Sequence, residues 1–228
     1  MATVGVDSST LISESQWTCL QTPGGQGPIE FAIPRVYKSY GAVDTNGVQT
    51  IKNARAAGVK YVDGYIFPCF PCGNPGKQIR DTKSALDQAG AQFGMLWLDI
   101  EQYKWSSNKT ANEVFITGMI DEGKSLGVSM GVYSGYYGWI EIVSSSYTHP
   151  HDQGLPVWYA HYDGKQSFSD WDTTERGGYG GWTKPSIKQF LGDKTSCKAS
   201  IDYDWYPSAE TGRPYFYGGG VMNATAAE

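Results

Sequence analysis

Only three histidines occur among the 228 residues, and nowhere do lysine and arginine cluster. The shortage of imidazole argues against a metal-dependent phosphodiesterase, which would need histidines beside its acids. His149 and His151 flank Pro150 in what reads as a loop, and His161 stands alone. No metal and no cofactor are expected. The lack of basic clusters, with a net charge of −5 and a pI near 5.2, argues against nucleic acid, whose phosphates call for a basic surface. No apolar run approaches the roughly 18 residues of a membrane span, so a soluble chain without membrane attachment is expected.

Cysteine is also sparse: Cys19, Cys69, Cys72 and Cys197. Cys69-Phe-Pro-Cys72 would make half a zinc site, but no second close pair follows it. A redox dithiol usually opens a helix, whereas Cys72-Gly-Asn-Pro-Gly76 reads as loop. Structural disulfides formed in an oxidising compartment are the expectation, with all three pairings open. No signal peptide is visible. The tripeptides Asn108-Lys-Thr110 and Asn223-Ala-Thr225 match N-glycosylation acceptors and point the same way. A secreted or lysosomal/phagosomal location is expected.

What the chain has in abundance is aromatic: 16 Tyr, 8 Trp and 8 Phe. Such rings fill cores, and their flat faces with polar edges also suit sugars. The organising stretch is Gly94-Met-Leu-Trp-Leu-Asp-Ile-Glu101, a buried strand that delivers two acids at its end. Strand side chains alternate, so Asp99 and Glu101 share a face, about 6.6 Å apart along the backbone. Two such carboxyls are the material of acid/base chemistry on a glycosidic bond.

Eight strands are read along the chain: 3–7, 31–37, 61–67, 94–101, 130–134, 155–162, 186–191 and 200–204. Helices are read at 44–58, with Asp44 to Asn46 offering caps; at 77–89; from a Thr110–Glu113 capping box onward; and at 137–143. About five helices in all are expected. Ala57-Gly-Val59, Ala89-Gly-Ala91 and Leu126-Gly-Val128 each close a helix and open a strand, one loop written three times. Alternating strands and helices predict a parallel sheet, and eight strands can close it into an irregular, TIM-barrel-like (β/α) barrel. One catalytic barrel domain over residues 1–217 and a flexible Gly-rich tail over 218–228 are expected. Asp7 ends the first strand and Asp202 lies in the last, so both converge with Asp99 and Glu101 on one rim. That is costly to hold without a purpose.

Gly5-Val-Asp-Ser-Ser9, Trp97-Leu-Asp-Ile-Glu101, Trp158-Tyr-Ala-His-Tyr162 and Ile201-Asp-Tyr-Asp204 together resemble glycoside hydrolase family 25, the lysozymes or muramidases. Asn53-Ala-Arg-Ala-Ala-Gly58 and Phe67-Pro-Cys69 are similar to its invertebrate and protist members. The resemblance implies a barrel of eight strands and five helices that cleaves the β-1,4 bond between N-acetylmuramic acid and N-acetylglucosamine in bacterial peptidoglycan. It implies Glu101 as general acid and Asp99 as the partner that holds the substrate's acetamido group. Asp7 and Asp202 would complete the acids, and Tyr65, Tyr133 and Trp158 would line the groove. It also implies retention of configuration, a monomer and an antimicrobial use. A sugar-binding barrel without catalysis is the alternative; such a protein would be expected to lack Glu101. Because bacterial walls are anionic and the chain carries −5, an acidic optimum is expected.

Overall fold

The computed structural model describes residues 2–22, 26, 28–171 and 178–207. The expected tail at 218–228, the acceptor at Asn223 and residues 208–217 of the expected domain lie outside the described residues. The strands are β1 (Ala2–Ser8), β2 (Ile29–Lys38), β3 (Ala42–Val43), β4 (Tyr61–Val62), β5 (Gly64–Ile66), β6 (Met95–Asp99), β7 (Ser129–Ser134), β8 (Val157–Ala160), β9 (Ile187–Ser196) and β10 (Ala199–Pro207). The helices are α1 (Glu14–Leu20), α2 (Thr45–Ala56), α3 (Pro75–Gln88), α4 (Lys109–Ser125), α5 (Tyr136–Ile142) and α6 (His149–Asp152), with a 3-10 turn at Phe70–Cys72.

The sheet runs β1-β10-β9-β8-β7-β6-β5-β2, and β1 pairs again with β2, which closes a barrel of eight strands. Pairing is parallel from β1 through β2, β5, β6, β7 and β8 to β9. The last strand departs from the expected parallel order: β10 is antiparallel to both β9 and β1. The cause is local. Ser196 pairs with Ala199, leaving Cys197 and Lys198 as a two-residue turn with φ of 51° and 61°. Two positive-φ central residues turn a strand straight back on its neighbour. Cys197 is held there by a disulfide to Cys19 at the end of α1. The second disulfide joins Cys69 to Cys72.

Two cores result. Phe31, Ile33, Met95, Trp97, Ile187 and Tyr206 fill the barrel interior. A larger apolar layer, including Val6, Ile51, Ile79, Leu96, Ile116 and Val132, lies between strands and helices. The alternation along β6 divides these exactly as period two requires: Met95 and Trp97 go in, Leu96 and Leu98 go out.

The three glycine loops behave as expected. Gly58, Gly90 and Gly127 have φ of 80°, 63° and 66°, and Val59, Ala91 and Val128 donate back to Ala54, Leu86 and Gly123. This six-to-one bond satisfies carbonyls that a helix end would otherwise leave open. Other expectations are corrected. Strand 61–67 breaks at Asp63, whose Oδ1 accepts Met95 N–H at 3.0 Å and whose Oδ2 accepts the Trp97 indole at 3.0 Å. Helix α4 is capped by Asn108, which accepts Ala111 N–H, not by Thr110; Glu113 instead accepts Ser144 N–H at 2.7 Å. Asp44 precedes α2 but makes no side-chain cap, because Arg35 and Lys38 engage its carboxylate. His149 to Asp152 form a one-turn helix rather than a loop, and α1 lies between the first two strands, where no helix was expected.

Candidate active site

Asp99 is the last residue of β6 and buried. Glu101 follows two residues later, outside the regular strand that the sequence pattern extended to it. The intervening Ile100 is pinned to β7, donating to Tyr133 O at 2.8 Å and accepting Ser134 Oγ at 2.7 Å. The Trp105 indole binds Glu101 O at 2.9 Å. The backbone on both sides of Glu101 is therefore fixed although the residue lies in a loop.

Asp7 and Asp202 are cross-strand partners in the β1–β10 ladder, and Gly5 faces Asp204 one step below. Because β10 runs backwards, its early residues, not its carboxyl end, meet the rim. The four acids expected from the sequence come together, and Asp204, which was quoted in a motif but given no role, joins them. Asp7 and Asp204 are buried; Asp202 and Glu101 are partly open. Burial pushes Asp7 up to about 8, with Asp202 and Glu101 adding to it and the Gln189 amide opposing. Asp204 is driven well above the usual carboxylate range by burial, then by Asp7 and Asp202. Among the described residues Asp204 Oδ2 has no hydrogen-bond donor, and the Asp204 and Asp7 carboxyls lie close enough to share a hydrogen bond once one of them holds a proton. The Trp158 indole donates to Asp204 Oδ1 at 2.9 Å.

Asp99 is likewise pushed well up, by burial first, then by Glu101 and Asp7; Arg35 pulls it back. Glu101 is raised by burial and by the charge of Asp202. Asp202 is raised by burial, while the Asp193 backbone N–H, 2.6 Å away, lowers it. Five coupled carboxyls cannot all ionise at neutral pH, so protons stay in the site. That is the condition for a carboxylic acid to act as proton donor.

A cleft of about 370 Å³ opens beside Glu101, lined by Gln102, Tyr133, Tyr136, Tyr137 and Tyr162 among others. Of the expected groove aromatics, Tyr133 reaches it. Tyr65 and Trp158 pack under the rim, with Trp158 edge-on to Tyr133 at 4.5 Å and to Tyr65 at 6.3 Å. Sequence reading passed over Tyr162, Gln189 and the clefts' other tyrosines. The Tyr133 hydroxyl donates to Gln189 Oε1 at 2.6 Å and that of Tyr162 does so at 2.7 Å.

A closed barrel bearing protonated and charged carboxyls side by side in an aromatic-walled cleft is the frame of a glycoside hydrolase. Comparison with known proteins agrees. The family of Lysozyme-like protein 1 matches residues 1–190. Lysozyme-like protein 5 of Caenorhabditis elegans is 41% identical over 89% of this chain and 91% of its own length. Probable GH family 25 lysozyme 4 of Dictyostelium discoideum is 41% identical over 90% of both. The muramidase of Trichobolus zukalii superposes with a TM-score of 0.67 at 21% identity, over 92% of this chain and 95% of that one, which speaks for the barrel. The chain belongs to the glycoside hydrolase family 25 lysozymes and is a glycosidase.

Proposed function

We propose that the protein is a muramidase that cleaves the β-1,4 bond from N-acetylmuramic acid to N-acetylglucosamine in bacterial peptidoglycan, with retention assisted by the substrate's own acetamido group. The observation that carries this reading is Asp99 Oδ1, a buried carboxyl oxygen that finds no hydrogen-bond donor among the described residues, two residues from Glu101. An orphaned buried acceptor is costly, and an acetamido N–H is the donor such a site lacks.

In this reading Glu101 gives its proton to the glycosidic oxygen as the bond to C1 breaks. The acetamido carbonyl oxygen closes onto C1, and Asp99 holds the N–H of the resulting ring. Water then opens that ring, returning its proton to Glu101. Asp202 supplies negative charge near the cationic transition state, with Asp7 completing the acid set. Tyr133 serves as a cleft wall, and Tyr65 with Trp158 supports it from below. The two disulfides support a secreted or phagosomal setting; action as a monomer belongs to the same proposal.

Product analysis tests it. Peptidoglycan treated with the wild type yields fragments ending in reducing N-acetylmuramic acid, β-configured on first release by NMR, and Glu101→Gln yields none. Binding without fragments from either protein would install the lectin reading. An α-configured first product would remove the acetamido step.

A further inference from the structure

Gln189 sits among the rim acids without being one of them. It points into the barrel from β9, while its neighbour Lys188 points out, so two adjacent residues end in different networks. Inside, Gln189 Nε2 donates to Asp7 Oδ2 at 2.7 Å and to Asp202 Oδ2 at 3.2 Å. Its Oε1 accepts both tyrosine hydroxyls. Two donors on the oxygen leave the amide one way to face, with its hydrogens toward the acids.

Outside, the fully buried ammonium of Lys188 lies 2.9 Å from Asp163 Oδ1 and 3.1 Å from Asp170 Oδ2, and donates to Ser167 O at 3.1 Å. Asp170 also accepts the Tyr159 hydroxyl at 3.1 Å and pairs with the His161 ring. His161, Asp163 and Asp170 have the composition of a metal site, but the Lys188 ammonium already supplies the cation there. The cluster straps residues 161–170 to β9, and His161 N–H reinforces the strap by donating to Gln189 O at 3.0 Å. Tyr162 rides on this strap. Its ring lies across Gly192, where an added Cβ would come within 3.1 Å of it, and its hydroxyl reaches Gln189.

We infer that Gln189 is a positioning residue: its amide, oriented by Tyr133 and Tyr162 and held through the Lys188 strap, presents its hydrogens to both Asp7 and Asp202 and so favours the charged form of these two carboxyls beside Glu101. Asp202 is partly open and receives two donors, the Gln189 amide and the Asp193 N–H. Asp7 receives the same amide at the shorter distance of 2.7 Å, but it is buried and has Asp204 beside it. Donors to the charged form favour ionisation, and burial opposes it, so the two aspartates divide. Glu101 acts on Asp7, and Asp7 on Asp99, from across the rim, while Arg35 pulls Asp99 back. The inference bears on the proposed muramidase chemistry, but its test does not depend on activity.

The test is a carbon-13 NMR titration of labelled Asp and Glu carboxyls in the wild type, in Gln189→Glu and in Tyr133→Phe/Tyr162→Phe. Gln189→Glu keeps the tyrosine bonds but sets a carboxylate oxygen against Asp7 and Asp202 where hydrogens stood. Asp202 is expected to titrate before Asp7 in the wild type, and both are expected about one pH unit or more higher in Gln189→Glu. The double tyrosine variant frees the amide to turn and moves both aspartates the same way by less. Unmoved Asp202 and Asp7 titrations in folded Gln189→Glu overturn the inference. If that variant does not fold, unmoved Asp202 and Asp7 titrations in the double variant overturn it. Shifts seen in a protein that releases no sugar would leave this inference standing and remove the muramidase reading.

Discussion

Asp7 and Asp202 are paired directly across the antiparallel β1–β10 ladder, so their carboxyls leave the barrel wall at the same level. Like charges set opposite one another destabilise a sheet. Here the cost is compounded by burial and by Asp204, Asp99 and Glu101 nearby. The rim is thus the place where stability has been given up, and removing charge there should separate stability from activity.

Glu101→Gln is the plainest case. The amide fills the same space but carries no transferable proton, so sugar release should fall by roughly 10²–10⁴-fold, the usual share of a general acid. Relief from Asp202 should leave the melting temperature equal to the wild type's or higher. A reducing-sugar assay beside a thermal melt reads both. A variant that loses activity by unfolding would show in the second.

Much of this site was legible because strand alternation and strand ends are written in the sequence. Asp7, Asp99, Glu101 and Asp202 could be placed on one rim before any coordinates. The same alternation puts Asp204 on the face of Asp202, a signal that was present and not used. Alternation also puts Tyr162 on the face of Trp158 and Gln189 on that of Ile187, but what they do there depends on hydrogen bonds between strands far apart in the chain, which alternation does not show. The reversed last strand was hidden for a different reason. Its turn, Cys197-Lys198, has neither Gly nor Asn, and the Cys19 disulfide holds a geometry that composition does not suggest. The α1 helix had a readable capping box, Ser13 to Gln16, a signal that was present and not used.

That disulfide leads to a second prediction. It closes 178 residues of chain, and cross-links of long loops stabilise by roughly 2–4 kcal/mol. Cys19→Ser/Cys197→Ser should lower the melting temperature markedly, while sugar release at low temperature persists because neither cysteine touches the cleft. Loss of the Cys69–Cys72 link, which spans three residues, should matter far less. Melts of the two double variants, compared directly, decide it.

Gly47→Ala should damage fold and site together. A Cβ there would fall 1.5 Å from the backbone oxygen of Arg35, so α2 must lift off β2. Arg35 binds Asp44 and Ser9 O across the same contact and moderates Asp99. Overpacking costs about 1–3 kcal/mol where side chains can yield; backbone cannot, and a larger loss is expected. Soluble yield and a melt suffice to check it.

The pH dependence of stability is the most discriminating prediction. Asp7 titrates at about 8 in the fold against a reference of 3.8, and Asp63 at about 7. Both are raised by burial, so between these limits the folded chain holds protons that the unfolded chain has released. Stability from such groups is complete below the reference value and is lost as pH climbs toward the folded one. The wild type should therefore melt at progressively lower temperature from about pH 4 to about pH 8. Asp7→Asn can keep the local bonds, its oxygen accepting from Gln189 and its amide donating to Asp204, without any charge to release. The variant's advantage should be slight near pH 4 and largest near pH 8, the remaining slope belonging to Asp63 and the other rim acids. An advantage equal at both ends would mean that Asp7 ionises normally in the fold, and the crowded, proton-sharing rim would have to be redrawn.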